Sequence, residues 1–192
     1  MKKILVIDAH PNEKSLCRAL ADSYLSMAES SGFDTKRLTL RNLEFDLNLH
    51  QGYHQIQELE PDLVQSQEQI LWCDHLVIVY PIWWGTMPAL LKGFFDRCWL
   101  PGFAFQYHKK DPFWDKLLKG RSARIIVTSD APYLYNFFIH WSAPYRVVKK
   151  AILAFCGFRP VKMTAFGGIK NLSEAQIKQT LTKVETLGQK GL

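Results

Sequence analysis

Two short stretches of the sequence carry residue types suited to holding a ligand. The first is His10-Pro11-Asn12-Glu13-Lys14-Ser15-Leu16-Cys17, which leaves the apolar β-branched run Lys3 to Ala9 and enters a helical pattern at Ser15. A helix start offers backbone N–H groups with no intrahelical partner and the positive end of the helix dipole. His10, Ser15 and the amides of Leu16 and Cys17 therefore form a set that can hold a phosphate. Ser15 as a plain helix cap explains its own position equally well. The second stretch is Tyr80-Pro81-Ile82-Trp83-Trp84-Gly85-Thr86-Met87-Pro88, where planar side chains and backbone amides follow another apolar run. That combination can grip a flat heterocycle, and it can also form a hydrophobic plug. The wider pattern favours the flat ligand, because 19 of the 25 Phe, Trp and Tyr residues lie between Tyr80 and Phe158. Neither G-x-G-x-x-G nor G-x-x-x-x-G-K-[ST] occurs, so neither a dinucleotide fingerprint nor a P-loop is supported.

The elements that must position these residues alternate along the chain. Strands are expected at Lys3 to Ala9, Thr35 to Leu40, His75 to Pro81, Arg124 to Ser129 and Arg159 to Phe166, each a short run rich in β-branched or apolar residues. Helices are expected from Ser15 to Ser31, ended by Gly32; from Asp62, as N-cap, to Cys73; after Pro88; over 144–155; and after Ser173. The last begins with the capping-box pattern Ser173-Glu174-Ala175-Gln176, and residues 100–120 read as irregular. The pattern predicts one α/β domain over residues 1–192: a doubly wound, five-stranded parallel sheet with helices on both faces. In such sheets ligands bind beyond the carboxyl ends of the strands, which directs attention to the loops after strands one, three and four.

Composition narrows the function classes. The chain has 47% hydrophobic and 22% charged residues and a net charge of +6, which excludes a disordered tail, a collagen-like fibre and a disulfide scaffold. Residues 1–96 hold 8 basic and 13 acidic residues, whereas residues 97–192 hold 16 and 5, so the positive excess belongs to the second half. Cys17, Cys73, Cys98 and Cys156 are widely spaced, and the N-terminal residues lack a signal-peptide core; a reducing, cytoplasmic setting is expected. No apolar run is long enough to span a bilayer. No metal site is expected: only His50 and His54 share helical ligand spacing, and no motif completes a site. The scattered basic residues form no nucleic-acid module.

Tyr80 to Arg97 (YPIWWGTMPALLKGFFDR), followed by PGFAF at 101–105, closely resembles the signature of the flavodoxin-like NAD(P)H:quinone reductases. This is the family of DT-diaphorase and of the bacterial quinone reductases that accompany potassium-efflux systems. Ala9-His10 at a strand end, Ser15 at the first helix and FCGF at 155–158 extend the resemblance over most of the chain. The resemblance implies a flavin whose phosphate end meets His10, Ser15, Leu16 and Cys17 and whose ring system meets Pro81, Ile82, Trp83, Trp84 and Gly85. The loop after strand four usually reads TTGG in this family. Here it is Thr128-Ser129-Asp130-Ala131-Pro132, which lacks both glycines and places an acid where a reduced flavin gathers negative charge. Family members often carry a Tyr and a His after this loop that stabilise reduced flavin and quinone oxygen; Tyr133, Tyr135 and His140 are the candidates. Matching forward from Thr128 favours Tyr135 and His140, matching backward from FCGF puts an aromatic at the His position, and a packed structural histidine is the other reading. The implied activity is ping-pong hydride transfer from NADH or NADPH, through the flavin, to a quinone or similar flat acceptor. A short C-terminal end points to FMN and leaves FAD open, and the resemblance implies a homodimer. A flavin-bearing electron carrier and a regulatory subunit of a membrane transporter, docking through 133–150, are the competing readings. The basic second half is expected to supply a field for the anionic cofactors.

Overall fold

The computed structural model describes residues 1–132, 138 and 141–192. Five strands form one parallel sheet: β1 (Lys3–Asp8), β2 (Asp34–Thr39), β3 (His75–Pro81), β6 (Ser122–Thr128) and β7 (Val161–Phe166), in the order β2-β1-β3-β6-β7. A separate antiparallel pair, β4 (Phe105–Tyr107) with β5 (Trp114–Lys116), lies in the segment expected to be irregular. Three-residue strands are too short to show periodicity. The pair is anchored by Trp114, whose ring stacks on Phe155 at 4.4 Å and whose indole N–H donates to the Phe155 carbonyl.

The sequence of β3, HLVIVYP, is apolar without alternation because it is buried on both faces, as the middle of a covered parallel sheet requires. On one face Ile4, Val6, Val77, Val79 and Ile126 pack against α1 (Leu16–Ser30) and α5 (Glu174–Gln189). On the other, Leu5, Ile7, Leu76, Ile78, Ile125 and Val127 join a core that includes residues of α2 (Pro61–Trp72) and α3 (Ala89–Cys98). That core also takes Tyr145 from α4 (Ala143–Arg146) and Val148 and Leu153 from a π-helix that continues it over Val147–Ala154. Gly188 explains how α1 and α5 approach so closely: a Cβ there would lie 2.3 Å from the Tyr24 carbonyl oxygen.

The helix ends follow the residues at them. Ser15 caps α1 by accepting the Arg18 amide, and Ser173 and Gln176 complete the expected capping box. At α2 the cap is Glu60 and not Asp62. Pro61 takes the first helical position, where it sacrifices no hydrogen bond, and the Asp62 carboxylate accepts the Glu44 amide at 2.7 Å. Among the described residues no helix is long and apolar enough to cross a membrane.

Candidate functional site

The strand order reverses between β1 and β3, so the crevice beyond their carboxyl ends is where this topology opens a ligand site. Three loops meet there. Thr128, buried at the end of β6, accepts the Ile82 amide through its carbonyl at 2.7 Å and contacts the Cys17 thiol through its hydroxyl at 3.2 Å. His10 packs edge-on against Trp83, with ring centroids 5.5 Å apart. The loops after β1, β3 and β6 are thus fastened to one another without a ligand.

In the first loop, the amides of Leu16 and Cys17 have no partner among the described residues and lie at the start of α1. His10 completes the donor set. The Asn12 amide donates to His10 Nδ1 at 2.9 Å, and because the backbone fixes that hydrogen, Nδ1 is the acceptor although the Asn12 carbonyl oxygen lies 3.1 Å away. The neutral ring therefore carries its proton on Nε2. Burial lowers the His10 pKa from its ordinary value, with Arg41 adding to the effect and the Asn12 contact and Asp8 opposing it. The Cys17 thiol contributes nothing as a nucleophile: burial pushes its pKa up to about 12. Only its amide is available.

Beneath this loop lies a group that the sequence reading passed over. Asp8 is wholly buried at the last position of β1. Its carboxylate accepts Arg37 at 3.0 Å, Arg41 at 2.7 Å and the His10 amide at 3.3 Å. Arg37 also bridges to Asp22, and Arg18 reaches Glu13 and Asp22. The only signal was an acid closing the apolar run KILVID.

The second loop is a two-residue turn. Trp83 and Thr86 exchange both backbone hydrogen bonds, and Trp84 and Gly85 occupy its tip with φ of 49° and 72°. Positive φ at both central positions is the type I′ geometry; it suits Gly85 and strains Trp84, whose side chain stands fully exposed. Pro81 is buried and Ile82 partly so, at the root of the turn.

The third loop, which lacks glycine, is tied to the segment after β7. The Ser129 amide donates to Phe166, the Gly168 amide to the Ala131 carbonyl, and the Ile169 amide to the Ser129 carbonyl. Thr128 and Ser129 are buried framework residues. The amides of Asp130 and Ala131 remain without a partner among the described residues. The Asp130 carboxylate pairs with Lys170 at 2.7 Å, so its charge does not face the crevice uncompensated. Tyr133, Tyr135 and His140 lie outside the described residues.

Several of the second-half cations lie away from the three loops. Arg97 is wholly buried, holding Glu60 and the carbonyls of Asp46 and Glu58. Lys116, Lys119 and Arg159 line a cleft at the amino edge of the sheet, away from the three loops. The arginines beside the first loop come from the acidic half. His50 pairs with Asp46, and no cluster of three metal-ligating residues occurs among the described residues.

A family model described as flavodoxin-like fold matches residues 2–187. An uncharacterized NAD(P)H oxidoreductase of Haemophilus influenzae is 27% identical over 97% of this chain and 92% of its own length. Human ribosyldihydronicotinamide dehydrogenase [quinone] is 28% identical over 82% of this chain and 78% of its own length. The crystal structure of a Streptococcus mutans UA159 protein superposes with a TM-score of 0.82 at 30% identity, covering 98% of this chain and 99% of that one.

Proposed function

This chain belongs to the flavodoxin-like fold family, and we propose that it is an NAD(P)H-dependent flavoprotein oxidoreductase that passes two electrons to a quinone or similar flat acceptor. The observation that carries this reading is the first loop: unpartnered amides at the start of α1 beside a histidine whose Nε2–H is free to donate. Relatives named as NAD(P)H oxidoreductase and quinone dehydrogenase supply the reaction class.

The residues present fit a flavin mononucleotide. His10 Nε2–H, the Ser15 hydroxyl and the amides of Leu16 and Cys17 would hold its phosphate. Ile82, Trp83, Trp84 and Gly85 would border its ring system, and the Asp130 and Ala131 amides would donate to the electron-poor pyrimidine side. When bound, the flavin supplies the hydride-accepting and electron-passing chemistry. The chain's part is to orient donor and acceptor, in turn, against the same face and to donate hydrogen bonds where charge accumulates. Tyr135 and His140 are assigned to the acceptor side on the family resemblance.

We assign the active form to a homodimer. Its support is a half-open apolar hollow of about 220 Å³ bordered by Tyr53, Phe95, Trp99, Phe105, Val147 and Ile152, a surface a second copy can cover. Gel filtration tests this assignment. For the activity, the purified protein is reconstituted with FMN and offered NADPH with menadione. Retained yellow colour and acceptor-dependent NADPH oxidation are expected; a colourless protein with no oxidation overturns the reading.

A further inference from the structure

Arg41 occupies an unusual place for a surface-proximal arginine. It lies two residues beyond the end of β2, and its side chain is 11% exposed. One guanidinium nitrogen, Nη1, donates both to Asp8 Oδ2 at 2.7 Å and to the main-chain carbonyl of His10 at 3.3 Å. Asp8 in turn accepts the His10 amide through its other oxygen, at 3.3 Å. Both polar groups of the His10 main chain are thereby tied to one buried ion pair. The imidazole is tied separately, by the Asn12 amide at Nδ1. Three constraints on one residue leave a single polar atom of His10 uncommitted, Nε2.

Arg37 provides a natural contrast. It carries the same charge and reaches the same Asp8 oxygen at 3.0 Å, yet its other contacts are Asp22 and the Thr39 hydroxyl, not the His10 main chain. The local charges of the cluster also balance: Arg18, Arg37 and Arg41 meet Glu13, Asp22 and Asp8. A phosphate arriving here therefore meets no surplus from the three arginines, and Lys14 is the loop's one cation without an ion pair among the described residues. The phosphate is held by donors whose directions are fixed beforehand, so the rigidity of His10 sets its worth as a ligand.

We propose that Arg41 is a positioning residue for the phosphate-binding loop: through Asp8 and the His10 carbonyl it fixes His10 so that Nε2–H is presented to a phosphate. The proposal rests on the flavin reading for the identity of the phosphate. The fixed imidazole is a property of the ligand-free chain and stands apart from that reading.

The test compares Arg41→Met and Arg37→Met with the wild-type protein. Each removes one cation and leaves Asp8 with the other arginine, so neither variant strands the buried carboxylate. Apo-protein is titrated with FMN and with riboflavin, which lacks the phosphate, and the His10 imidazole is observed by ¹⁵N NMR without flavin. Arg41→Met is expected to weaken FMN about tenfold, a loss of ~1.4 kcal/mol, with riboflavin affinity unchanged. Its imidazole ¹⁵N resonances are expected to shift and broaden as the ring loses its fixed direction. Arg37→Met is expected to retain a preference for FMN close to wild type and a single Nε2–H tautomer. Equal loss of FMN affinity in both variants would show that only charge matters and would overturn the proposal. Equal loss of FMN and riboflavin in Arg41→Met would do the same by pointing to general damage, as would an unchanged His10 spectrum in that variant. If wild-type protein binds neither flavin while the Arg41→Met spectrum changes as expected, the flavin reading fails and the positioning role stands.

Discussion

The two edges of the sheet treat buried polar groups in opposite ways. At the carboxyl edge, Asp8 is wholly buried but accepts two arginines and a backbone amide, and the assembly holds a loop in place. Toward the amino edge, Arg124 is buried with its Nη1 donating to the Thr164 hydroxyl, His75 Nδ1 meets the Ser122 hydroxyl, and Arg124 Nε and His75 Nε2 are buried without partners among the described residues. His75 is kept neutral there instead of being compensated. Burial, with Lys2, Arg124 and Lys162 acting in the same direction, pushes the His75 pKa down to about 3. The contrast separates a region built to present donors from one that buries polar groups for packing and register. Ligand chemistry belongs to the first.

Acid should expose this difference most strongly. Because His75 titrates near 3 in the fold and near 6.5 when unfolded, the unfolded chain binds the extra proton across that window. Stability from keeping His75 neutral is complete above pH 6.5 and is lost as pH falls toward 3. The expected loss is on the order of 4 kcal/mol, read as a falling urea midpoint. His75→Gln, which does not titrate, should flatten that slope; an acid profile parallel to wild type would assign the sensitivity elsewhere.

Next in size is Asp8→Ala, which leaves the largely buried Arg41 without a carboxylate and Arg37 with Asp22 alone, and should cost about 3 kcal/mol in chemical denaturation. Asp130→Ala, at an exposed ion pair, should leave the denaturation midpoint near wild type. Similar losses at both sites would erase the distinction between scaffold and surface pair. His10→Ala should weaken FMN binding about tenfold in fluorescence titration and spare riboflavin, since it deletes one phosphate donor. The smallest effect is assigned to Lys170→Met. With Asp130 left uncompensated, reduced FMN should lose roughly threefold in affinity relative to oxidised FMN, the order expected of an exposed charge pair. Spectroelectrochemistry measures that ratio, and an unchanged value would place Asp130 away from the flavin.

Much of the frame was legible because it rests on local patterns. The apolar runs at Lys3, His75 and Arg124 correspond to β1, β3 and β6, and Ser15 and Ser173 cap helices as their types require. The first two loops were readable for the same reason: each follows a strong strand pattern. What escaped depended on contacts distant in sequence. Asp8 gains its meaning from arginines 29 and 33 residues away, and Asp130 from Lys170. Net charge by halves cannot tell which cations the fold spends on itself: Arg97 secures the segment containing Asp46 and Glu58, and Arg124 is buried against Thr164. The β4–β5 pair was invisible because it depends on Trp114 meeting Phe155.

The central claim is that the three loops at the carboxyl edge hold a flavin that exchanges electrons directly with NAD(P)H and with a flat acceptor. Anaerobic mixing of the FMN-loaded protein with one equivalent of NADPH, without acceptor, tests it most directly. The account predicts complete loss of the oxidised flavin absorbance and its return on adding one equivalent of menadione. Persistence of the oxidised absorbance with both NADH and NADPH would contradict the account and leave the chain a flavin-binding carrier.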